Sequence, residues 1–540
     1  MRRKWFGLII LVLTAAFMIT GCSKSKPDTK ESADDAGNAK KKDELVMAFG
    51  SEPEDGFDPT TGWGRYGSPL FQSTLLKRND DLEVVNDLAE SYAIDEDDNK
   101  IWTVKLRDDV TFSDGETLTA EDVVFTFETA AENGSVVDLN VIDEVEALDK
   151  TTVQFTLEEP RSTFVNTLIA TGIVPEHAYG DDYAENPVGS GPYEFVQWDK
   201  GQQLIVRENP EYYGDKPHFK KVTFLFLSED ASLAAAQAGE VDMAYIPAAF
   251  SNKEVPGMRL EEVETVDNRG IVFPYVKSGE ETEDGLPIGN DVTADPAIRQ
   301  AINMAVDREA LVDGVLEGYG TPAYTSADKL PWWNPDTVIE DGDTDGARKL
   351  LEDAGWKDED GDGILEKDGM KAEFTLYYLA DDEIRQSLAI TVADMMKSIG
   401  IDIKVEGGSW DVIGDNMFSS AVLMGWGSHD PHEMYNIYSG ETAGEDYYNT
   451  GFYQNDKVDE YFKKALNATS EEEANKYWKK AQWDGETGLS AKGDAPWAWL
   501  VNIDHLYLVD ENLDIGKQRI HVHGHGWPAT DNITDWKWKD

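Results

Sequence analysis

Residues 186–217 read NPVGSGPYEFVQWDKGQQLIVRENPEYYGDKP, and this stretch carries the clearest fold signal in the chain. Apolar and polar side chains alternate on both sides of Asp199-Lys200-Gly201, which is the pattern of two strands joined by a short turn. The VGSGPY segment before the first strand has Val188 where the nucleophile elbow of a hydrolase needs a glycine. We therefore predict a β-hairpin here and no serine nucleophile.

Helix signals lie on either side of this hairpin. Upstream, in FSDGETLTAEDVVFTFE, Thr119 can cap a helix while Asp122, three residues on, reaches back to the cap. Downstream, in DPAIRQAINMAVDREALVDGVLEG, apolar residues recur near the helical period, which predicts one helix with Pro296 at its start and Gly318 at its end. Strand-like and helix-like segments alternate without an internal repeat, which predicts an α/β chain.

Size, charge and cysteine content narrow the class of protein. A chain of 540 residues exceeds one compact core, which predicts two or more lobes. The 106 acidic and 48 basic residues give a formal net charge of −58, which argues against nucleic acid and anionic lipid head groups as partners. Cys22 is the single cysteine, so no intramolecular disulfide can form. No P-loop is present, and HEMYN from His432 lacks the second histidine of a zinc protease motif.

The first 43 residues read as an export signal followed by a tether. Basic residues at positions 2–4 precede an apolar run over residues 5–19, which is the layout of a signal peptide. The run is short for a membrane span of roughly 20 residues, and a single-span anchor is the alternative. Residues 23–42 have almost no apolar side chains to offset their ordering entropy by burial, so we expect a flexible tether.

Five stretches together resemble the family 5 extracellular solute-binding proteins, the substrate-binding proteins of oligopeptide and nickel ABC importers. They follow the family's order over most of the chain. The Ile-Thr-Gly before Cys22 also resembles the lipobox of bacterial lipoproteins. The five stretches are residues 106–128, 186–217, 232–247, 295–323 and 347–356.

The resemblance implies an α/β, two-lobed periplasmic-binding-protein clamshell, class II-like and of the large peptide- and nickel-binding type. We expect mixed β-sheets and a discontinuous first lobe, with the chain crossing between lobes near residues 268–275 and 497–505. The expected segments are a lipoprotein signal peptide over residues 1–21, a lipid-anchored tether over 22–43, lobe I over 44–272 with an extra subdomain at about 80–185, lobe II over 273–500, and a C-terminal return to lobe I over 501–540.

The resemblance also implies a receptor and not an enzyme. We expect a monomer outside the cytoplasm, lipid-anchored through Cys22 on the cell surface or the periplasmic side of the membrane. It would capture a small ligand between its lobes and deliver it to a permease that works with separate ATPase subunits. No cofactor is required for that task.

The segment MGWGSHDPHEMYNIYSG, residues 424–440, bears on the ligand. Peptide-binding members commonly carry an aspartate shortly after the tryptophan, where it pairs with the peptide ammonium, whereas Trp426 is followed only by Gly-Ser-His429 before Asp430-Pro431. His432 then completes an Asp-Pro-His that resembles nickel-binding members, and imidazole nitrogen suits Ni²⁺. We favour a nickel chelate as cargo, with a dipeptide or oligopeptide as the alternative; an ordinary solvated loop histidine stays open.

The stretch IHVHGHGWP near the C-terminus holds three further candidate metal ligands, His521, His523 and His525. If it begins as a strand, the first two point to one face, and neighbouring glycines let the backbone turn the third toward them. The three imidazoles would then meet His432 or His429 across the cleft, around a nickel chelate. Surface histidines bound to carboxylates are one alternative, and a secreted metal-dependent hydrolase is another, since clustered histidines also bind zinc.

The segment TTGWGRYGSPLFQ supplies the opposite wall of the expected cleft. Trp63, Arg65 and Tyr66 fall where family members contribute ligand contacts from lobe I, and Arg65 could hold a ligand carboxylate through two hydrogen bonds. Trp426 and His429 would face them from lobe II. A packing role is the alternative for any one of these side chains.

A separate Asp-rich segment, DEDGDGILEKDG, resembles half of a calcium loop. Asp358, Asp360, Asp362 and Gly363 match the first half of an EF-hand, where alternating carboxylates converge on Ca²⁺. The twelfth position is Gly369 instead of a bidentate glutamate. We favour a plain hairpin after a helix end, with structural calcium as the alternative.

Overall fold

The computed structural model describes residues 43–50, 52–53, 55–67, 69–95, 97–133, 137, 139–445, 447–524 and 527–539. The predictions made for residues 1–42, which include the export signal and Cys22, lie outside these residues, as does the prediction made for His525. Within the described ranges, no helix combines the length and the apolar character that crossing a membrane requires.

Helices and strands alternate along the chain. The α-helices are α1 (Ala120–Glu132), α2 (Phe164–Ala170), α3 (Glu229–Ala238), α4 (Pro296–Ala305), α5 (Arg308–Val315), α6 (Thr344–Asp353), α7 (Glu383–Lys397), α8 (Trp410–Asn416), α9 (His432–Tyr438), α10 (Asp456–Leu466) and α11 (Glu471–Gln482). The strands are β1 (Glu44–Phe49), β2 (Leu76–Arg78), β3 (Val84–Asn86), β4 (Ala89–Ile94), β5 (Ile101–Leu106), β6 (Ile142–Asp149), β7 (Thr152–Leu157), β8 (Tyr193–Asp199), β9 (Gln203–Glu208), β10 (Lys221–Phe226), β11 (Met243–Ile246), β12 (Met258–Val263), β13 (Asn268–Val272), β14 (Glu280–Glu281), β15 (Pro287–Ile288), β16 (Gly320–Pro322), β17 (Glu366–Lys367), β18 (Met370–Lys371), β19 (Glu373–Leu379), β20 (Asp402–Gly408), β21 (Ala421–Trp426), β22 (Trp497–Ile503), β23 (His505–Asp510), β24 (Leu513–Asp514) and β25 (Lys537–Trp538).

Two mixed β-sheets form the centres of the two lobes. The sheet of lobe I has the order β12-β23-β11-β1-β10-β9-β8, and that of lobe II has the order β16-β22-β13-β21-β19-β20. Parallel pairs, such as β1 with β10 and β19 with β20, lie beside antiparallel ones. A third sheet has the order β4-β5-β7-β6 and packs against α1. In the sequence, its strands lie between β1 and β8 of lobe I. The predicted mixed α/β fold class is confirmed.

The hairpin predicted around Asp199-Lys200-Gly201 is confirmed as β8 and β9. The VGSGPY segment before it lies against another part of the backbone. A Cβ atom on Gly189 would approach the carbonyl oxygen of Phe71 to 2.0 Å, so only glycine fits there. The glycines of this segment thus serve close packing of the chain.

The helix predicted over residues 296–318 is two helices, so the prediction of one continuous helix was wrong. The chain leaves the helical conformation at Val306, and the Asp307 carboxylate then accepts a hydrogen bond from the Ala310 amide (2.9 Å), which caps α5. Arg308 is fully buried and donates to the carbonyl oxygens of Ala323 (2.9 Å) and Trp499 (2.8 Å). The break turns Arg308 inward, which periodicity alone does not indicate.

The chain passes from one main sheet to the other between Val263 and Asn268, and returns between Ile503 and His505. The two crossings are hydrogen-bonded to each other. The Thr265 hydroxyl donates to the carbonyl oxygen of Ile503 (2.6 Å), and the Ile503 amide donates to the carbonyl oxygen of Asp267 (2.8 Å). The crossings therefore form one connected unit.

The Asp267 side chain is the charged centre of this unit. It is 5% exposed, forms an ion pair with Arg269 (2.5 Å), and contacts the imidazoles of His523 and His505. Burial alone would raise its pKa, but the Arg269 guanidinium and the His523 ring hold the pKa of Asp267 well below its ordinary value.

We expect the Asp267→Asn variant to lose about 3–5 kcal/mol of unfolding free energy, because Arg269 would keep a buried charge without its counter-ion. Urea unfolding followed by fluorescence measures the loss. The matched control is Asp114→Asn, which breaks the exposed Asp114–His177 pair (2.8 Å) and should change stability by about 1 kcal/mol or less. Similar losses in the two variants would contradict a special role for Asp267.

Candidate ligand-binding cleft

A cavity of about 390 Å³ lies between the lobes. Its size falls in the range of roughly 300–1,000 Å³ that is usual for small-molecule sites. Three parts of the chain form its walls: residues 64–67 of lobe I, residues of the 426–436 segment of lobe II, and residues 519–522 of the C-terminal return.

The two lobes contact each other beside this cavity. Arg78 donates a hydrogen bond to the carbonyl oxygen of His429 (3.1 Å), and the Asn166 amide donates to the Asp430 carboxylate (2.9 Å). Leu82, from the loop between β2 and β3, packs into an apolar cluster of lobe II. These contacts enclose the cavity on the side of β2 and α2.

The wall of lobe II is built by the turn after β21. Gly427 has φ of +145°, and a Cβ atom there would lie 2.2 Å from the carbonyl oxygen of Val266, so glycine is required. The chain then turns at Asp430, whose carboxylate accepts from the His432 amide (2.9 Å), and α9 begins at His432. Burial raises the pKa of Asp430 to about 6.

Both histidines predicted in this wall, His429 and His432, line the cavity, as does Trp426. Burial and then the charge of Arg519 lower the pKa of His429 well below its ordinary value, so its ring is neutral. Its Nε2 atom is buried and has no hydrogen-bond partner within the part of the chain that the structure describes. The His432 ring is 9% exposed and stacks on Tyr435 at 5.1 Å.

Glu433 also lines the cavity, and the sequence did not single it out. Its carboxylate accepts a hydrogen bond from the Gly427 amide (3.1 Å). Burial raises the pKa of Glu433 to about 8. Its position directly after His432 in the Asp-Pro-His segment is a sequence signal that could have drawn attention to it.

On the wall of lobe I, Arg65 and Tyr66 line the cavity and Trp63 does not. The Arg65 guanidinium lies over the Tyr66 ring at 4.6 Å. Burial raises the pKa of Tyr66, the Arg65 charge lowers it, and the Glu433 carboxylate raises it further. The three side chains of Arg65, Tyr66 and Glu433 line one cavity.

Trp63 packs into the core of lobe I. Its indole nitrogen donates to the carbonyl oxygen of Pro69 (2.8 Å), and its ring meets Phe57 and Trp527 edge-on at 5.0 and 5.4 Å. It supports the loop that carries Arg65. In this structure Trp63 has a packing role and does not line the cavity.

Three further arginines line the cavity, and sequence patterns gave no signal for them because they come from distant parts of the chain. Unlike Arg65, each is held by a carboxylate. They are Arg78 with Glu471 (3.9 Å), Arg161 with Glu159 (3.3 Å) and Arg519 with Asp531.

His521 and His523 do not point to one place. No strand forms over residues 520–523, only an isolated bridge between His521 and Thr265. His521 is 1% exposed, lines the cavity, and has its Nδ1 atom 3.1 Å from that of His505. Burial, followed by His505, lowers the pKa of His521 well below its ordinary value. His523 instead forms its contact with Asp267 at the crossings.

Across the described residues, the only three His, Cys, Asp or Glu side chains with ligand atoms within 4.8 Å of one another are Asp358, Asp360 and Glu366. His432, His521 and His523 therefore do not form a preassembled three-histidine site. Only His432 and His521 of this set line the cavity.

The Asp-rich loop is organised around a lysine. Lys371 lies 3.2 Å from Asp360 and 3.4 Å from Glu366, and it also contacts Asp362. Asp358 accepts hydrogen bonds from the loop's own amides at Gly361 (2.7 Å) and Gly363 (3.2 Å). The lysine ammonium supplies the positive charge among these carboxylates, and the short hairpin of β17 and β18 follows.

Comparison with known proteins gives matches over most of the chain. Protein XP55 of Streptomyces lividans is 35% identical over 494 residues, which cover 88% of this chain and 87% of that protein. The oligopeptide-binding protein AppA of Bacillus subtilis is 28% identical over 545 residues, covering 95% of this chain and 96% of its own. The crystal structure of NikZ from Campylobacter jejuni, in complex with Ni(L-His), superposes with a TM-score of 0.73 at 28% identity, covering 92% of this chain and 99% of that chain.

The model of the bacterial extracellular solute-binding proteins, family 5 (middle region), matches residues 83–446. Members of this family are extracytoplasmic transport receptors and are not enzymes, which confirms the prediction of a binding protein without catalytic activity. The two main sheets with the ligand-sized cavity between them match the two-lobed architecture of the structural relatives. The chain therefore belongs to the family 5 extracellular solute-binding proteins, the receptors of peptide- and nickel-type ABC importers.

Proposed function

We propose that this receptor captures a small, carboxylate-bearing nickel chelate between its lobes and delivers it to the permease. The observation that carries the proposal is that His429 and His432 line the same cavity as Arg65. Neutral imidazole nitrogen is a good ligand for Ni²⁺, and a chelate that fills most coordination positions needs only one or two protein ligands. Arg65 can bind a chelator carboxylate through two parallel hydrogen bonds.

The electrostatics of the cleft support this choice. In the described chain, no carboxylate lies within salt-bridge distance of Arg65, so its charge is available to a ligand. The lowered pKa of His429 keeps its imidazole lone pair free at neutral pH. We limit the contribution of the C-terminal histidines to His521, since the His523 ring is engaged by Asp267.

A short peptide is the second candidate ligand. The aspartate that pairs with the peptide ammonium in related receptors is absent after Trp426, but another acidic side chain, Glu433, lines the same cavity. The structure of AppA from Bacillus subtilis, 26% identical with a TM-score of 0.66, holds a nonapeptide. The NikZ structure holds Ni(L-His). Because this chain is similar to both proteins, binding measurements must distinguish between the two ligands.

We also propose that the protein is a monomeric lipoprotein, with its lipid on Cys22. The apolar run before the Ile-Thr-Gly-Cys sequence supports this anchor. Two or more acyl chains hold a protein stably at a membrane, whereas one gives only reversible binding. The tether that follows would let the lobes reach the permease.

For the nickel chelate, we expect calorimetric titration of the purified protein with equimolar Ni²⁺ and L-histidine to show saturable binding. His432→Ala should weaken it at least about tenfold, because a metal ligand is lost. The control is His218→Ala, which removes an exposed histidine outside the cleft lining and should leave the affinity unchanged. Binding of a mixed peptide pool without any response to nickel would favour the second candidate.

Arg65→Gln should reduce affinity for either ligand about 10–100-fold, because a charge-assisted hydrogen bond to a carboxylate contributes about 1.5–3 kcal/mol. The same calorimetric titration measures this loss. Arg348→Gln on α6, whose side chain is 52% exposed, is the control and should bind like the parent protein. Unchanged affinity in Arg65→Gln would exclude this residue as the carboxylate anchor.

Cys22→Ser should release the exported protein from the membrane fraction into the soluble fraction, because the thiol that would carry the lipid is gone. Immunoblots of fractionated cells measure the distribution. Ser23→Ala, at the neighbouring position, should remain membrane-bound. Retention of Cys22→Ser at the membrane would instead support an uncleaved apolar anchor.

A further inference from the structure

A second cavity, of about 610 Å³, lies in lobe I where β1 and β10 end, next to the first turn of α3. Its volume is also within the range of roughly 300–1,000 Å³ that is usual for small-molecule sites. It shares one lining residue, Pro528, with the cavity between the lobes. His521 lines the first cavity and His505 the second, and their Nδ1 atoms are 3.1 Å apart. The two cavities therefore adjoin each other but have different walls.

Aromatic side chains form much of the wall of this second cavity. Tyr245 and Tyr507 lie opposite each other on β11 and β23, with ring centroids 5.8 Å apart. The Phe49 ring continues the wall, 6.2 Å from Tyr507 and 6.0 Å from Trp527, and Phe250 also lines it. Across the described part of the chain, neither tyrosine hydroxyl has a hydrogen-bond partner, so each can bind a ligand.

The mouth of the second cavity is acidic. Glu229 and Asp230, in the first turn of α3, line it and are exposed. Burial, then Asp230 and the Glu383 carboxylate of lobe II, raise the pKa of Glu229. Within the described ranges, neither Glu229 nor Asp230 forms an ion pair with a basic side chain. Negative charge therefore accumulates at this mouth without a counter-ion.

The two cavities differ in their basic residues. Four arginines line the cavity between the lobes, whereas no Lys or Arg among the described residues lines the second cavity. Arg269 acts on the Tyr245 hydroxyl, but it is already held in the ion pair with Asp267 (2.5 Å). The faces of aromatic rings attract cations, as carboxylates do. The second cavity therefore favours a ligand that combines positive charge with an apolar body.

We propose that the second cavity is a binding site for a small organic cation, an ammonium group carried on an apolar or aromatic body. The ammonium would lie toward Glu229 and Asp230 and donate a hydrogen bond to the Tyr245 hydroxyl. The body would pack against the rings of Phe49 and Tyr507. This site goes beyond the transport function proposed above and does not depend on which cargo the cleft between the lobes accepts.

The test uses three probes that share a phenylalkyl body and differ in charge. They are 2-phenylethylamine, which is a cation at neutral pH, 2-phenylethanol, which is neutral, and 3-phenylpropionate, which is an anion. Each is titrated calorimetrically into the purified protein. We expect saturable binding of the amine, binding of the alcohol at least about tenfold weaker, and no binding of the carboxylate, because only the amine satisfies the acidic mouth.

Two kinds of variant locate the site. Replacing both mouth carboxylates, Glu229→Gln with Asp230→Asn, should weaken binding of the amine at least about fivefold, because the attracting charge is lost. Tyr245→Leu should weaken it by a similar factor, because the ring and the hydroxyl are both removed. Tyr245→Phe keeps the ring and should retain most of the affinity.

The matched controls lie on α11, outside the linings of both cavities. Glu472→Gln with Glu473→Gln removes two exposed carboxylates from the first turn of that helix, and Tyr477→Leu removes a half-buried ring. Both control proteins should bind the amine like the parent protein. Thermal unfolding of each variant separates loss of affinity from loss of fold.

Three results would overturn the proposal. Equal affinity for the amine and the alcohol would show an apolar cavity without charge selection. Parent-like binding of the amine by the mouth variant and by Tyr245→Leu would place the probe elsewhere on the protein. No binding of any probe up to about 10 mM would exclude this class of ligand. None of these results bears on the nickel-chelate titration, so the proposed transport function is tested separately.

Discussion

The buried carboxylate of Asp267 is the constraint on which the two-lobed arrangement depends. It lies where the chain first leaves the sheet of lobe I, and it binds Arg269 of β13, which belongs to lobe II. Its contacts with His505 and His523 add the second crossing and the C-terminal return to the same charge centre. One buried charge thus connects the three chain segments that join the two lobes. The same contact with His523 keeps that ring away from the ligand cavity, whereas His521, two residues earlier, lines it.

The cleft is electrostatically selective within a protein of strongly negative net charge. Most of its charged side chains neutralise one another or bind backbone groups, which is the usual condition of buried charges. Among the described residues Arg65 has no carboxylate partner, and it lines the cavity together with Tyr66 and Glu433. Closure of the lobes would bring a ligand into contact with both walls at once, so that binding energy becomes available mainly in the closed state. When the lobes open again at the permease, the contacts with one lobe are lost, which favours release of the ligand.

Local sequence rules were reliable where the chain's conformation depends on near neighbours. The hairpin of β8 and β9 and the start of α1, where Thr119 and Asp122 form a capping box, followed from alternation and capping chemistry. The prediction of one helix over 296–318 was wrong because Asp307 caps a second helix there. The buried Arg308 side chain also donates hydrogen bonds to carbonyl oxygens far along the chain. Periodicity shows which face of a helix is apolar, but it carries no information on a buried arginine whose partners come from other parts of the chain.

The sequence by itself determined the family, the α/β class, the absence of disulfides and the segment that carries His432, because these depend on residues close together in the chain. Only the tertiary structure decided which side chains share the cavity. It placed Arg65, Tyr66 and Glu433 in one cavity from segments more than 350 residues apart, packed Trp63 into the core, and placed Lys371 among the carboxylates of the Asp-rich loop. Alternate spacing predicted that His521 and His523 would act together, but the backbone there follows the crossings instead of a strand. Pairing of buried charges is a long-range requirement, so it is settled by packing and is invisible to local patterns.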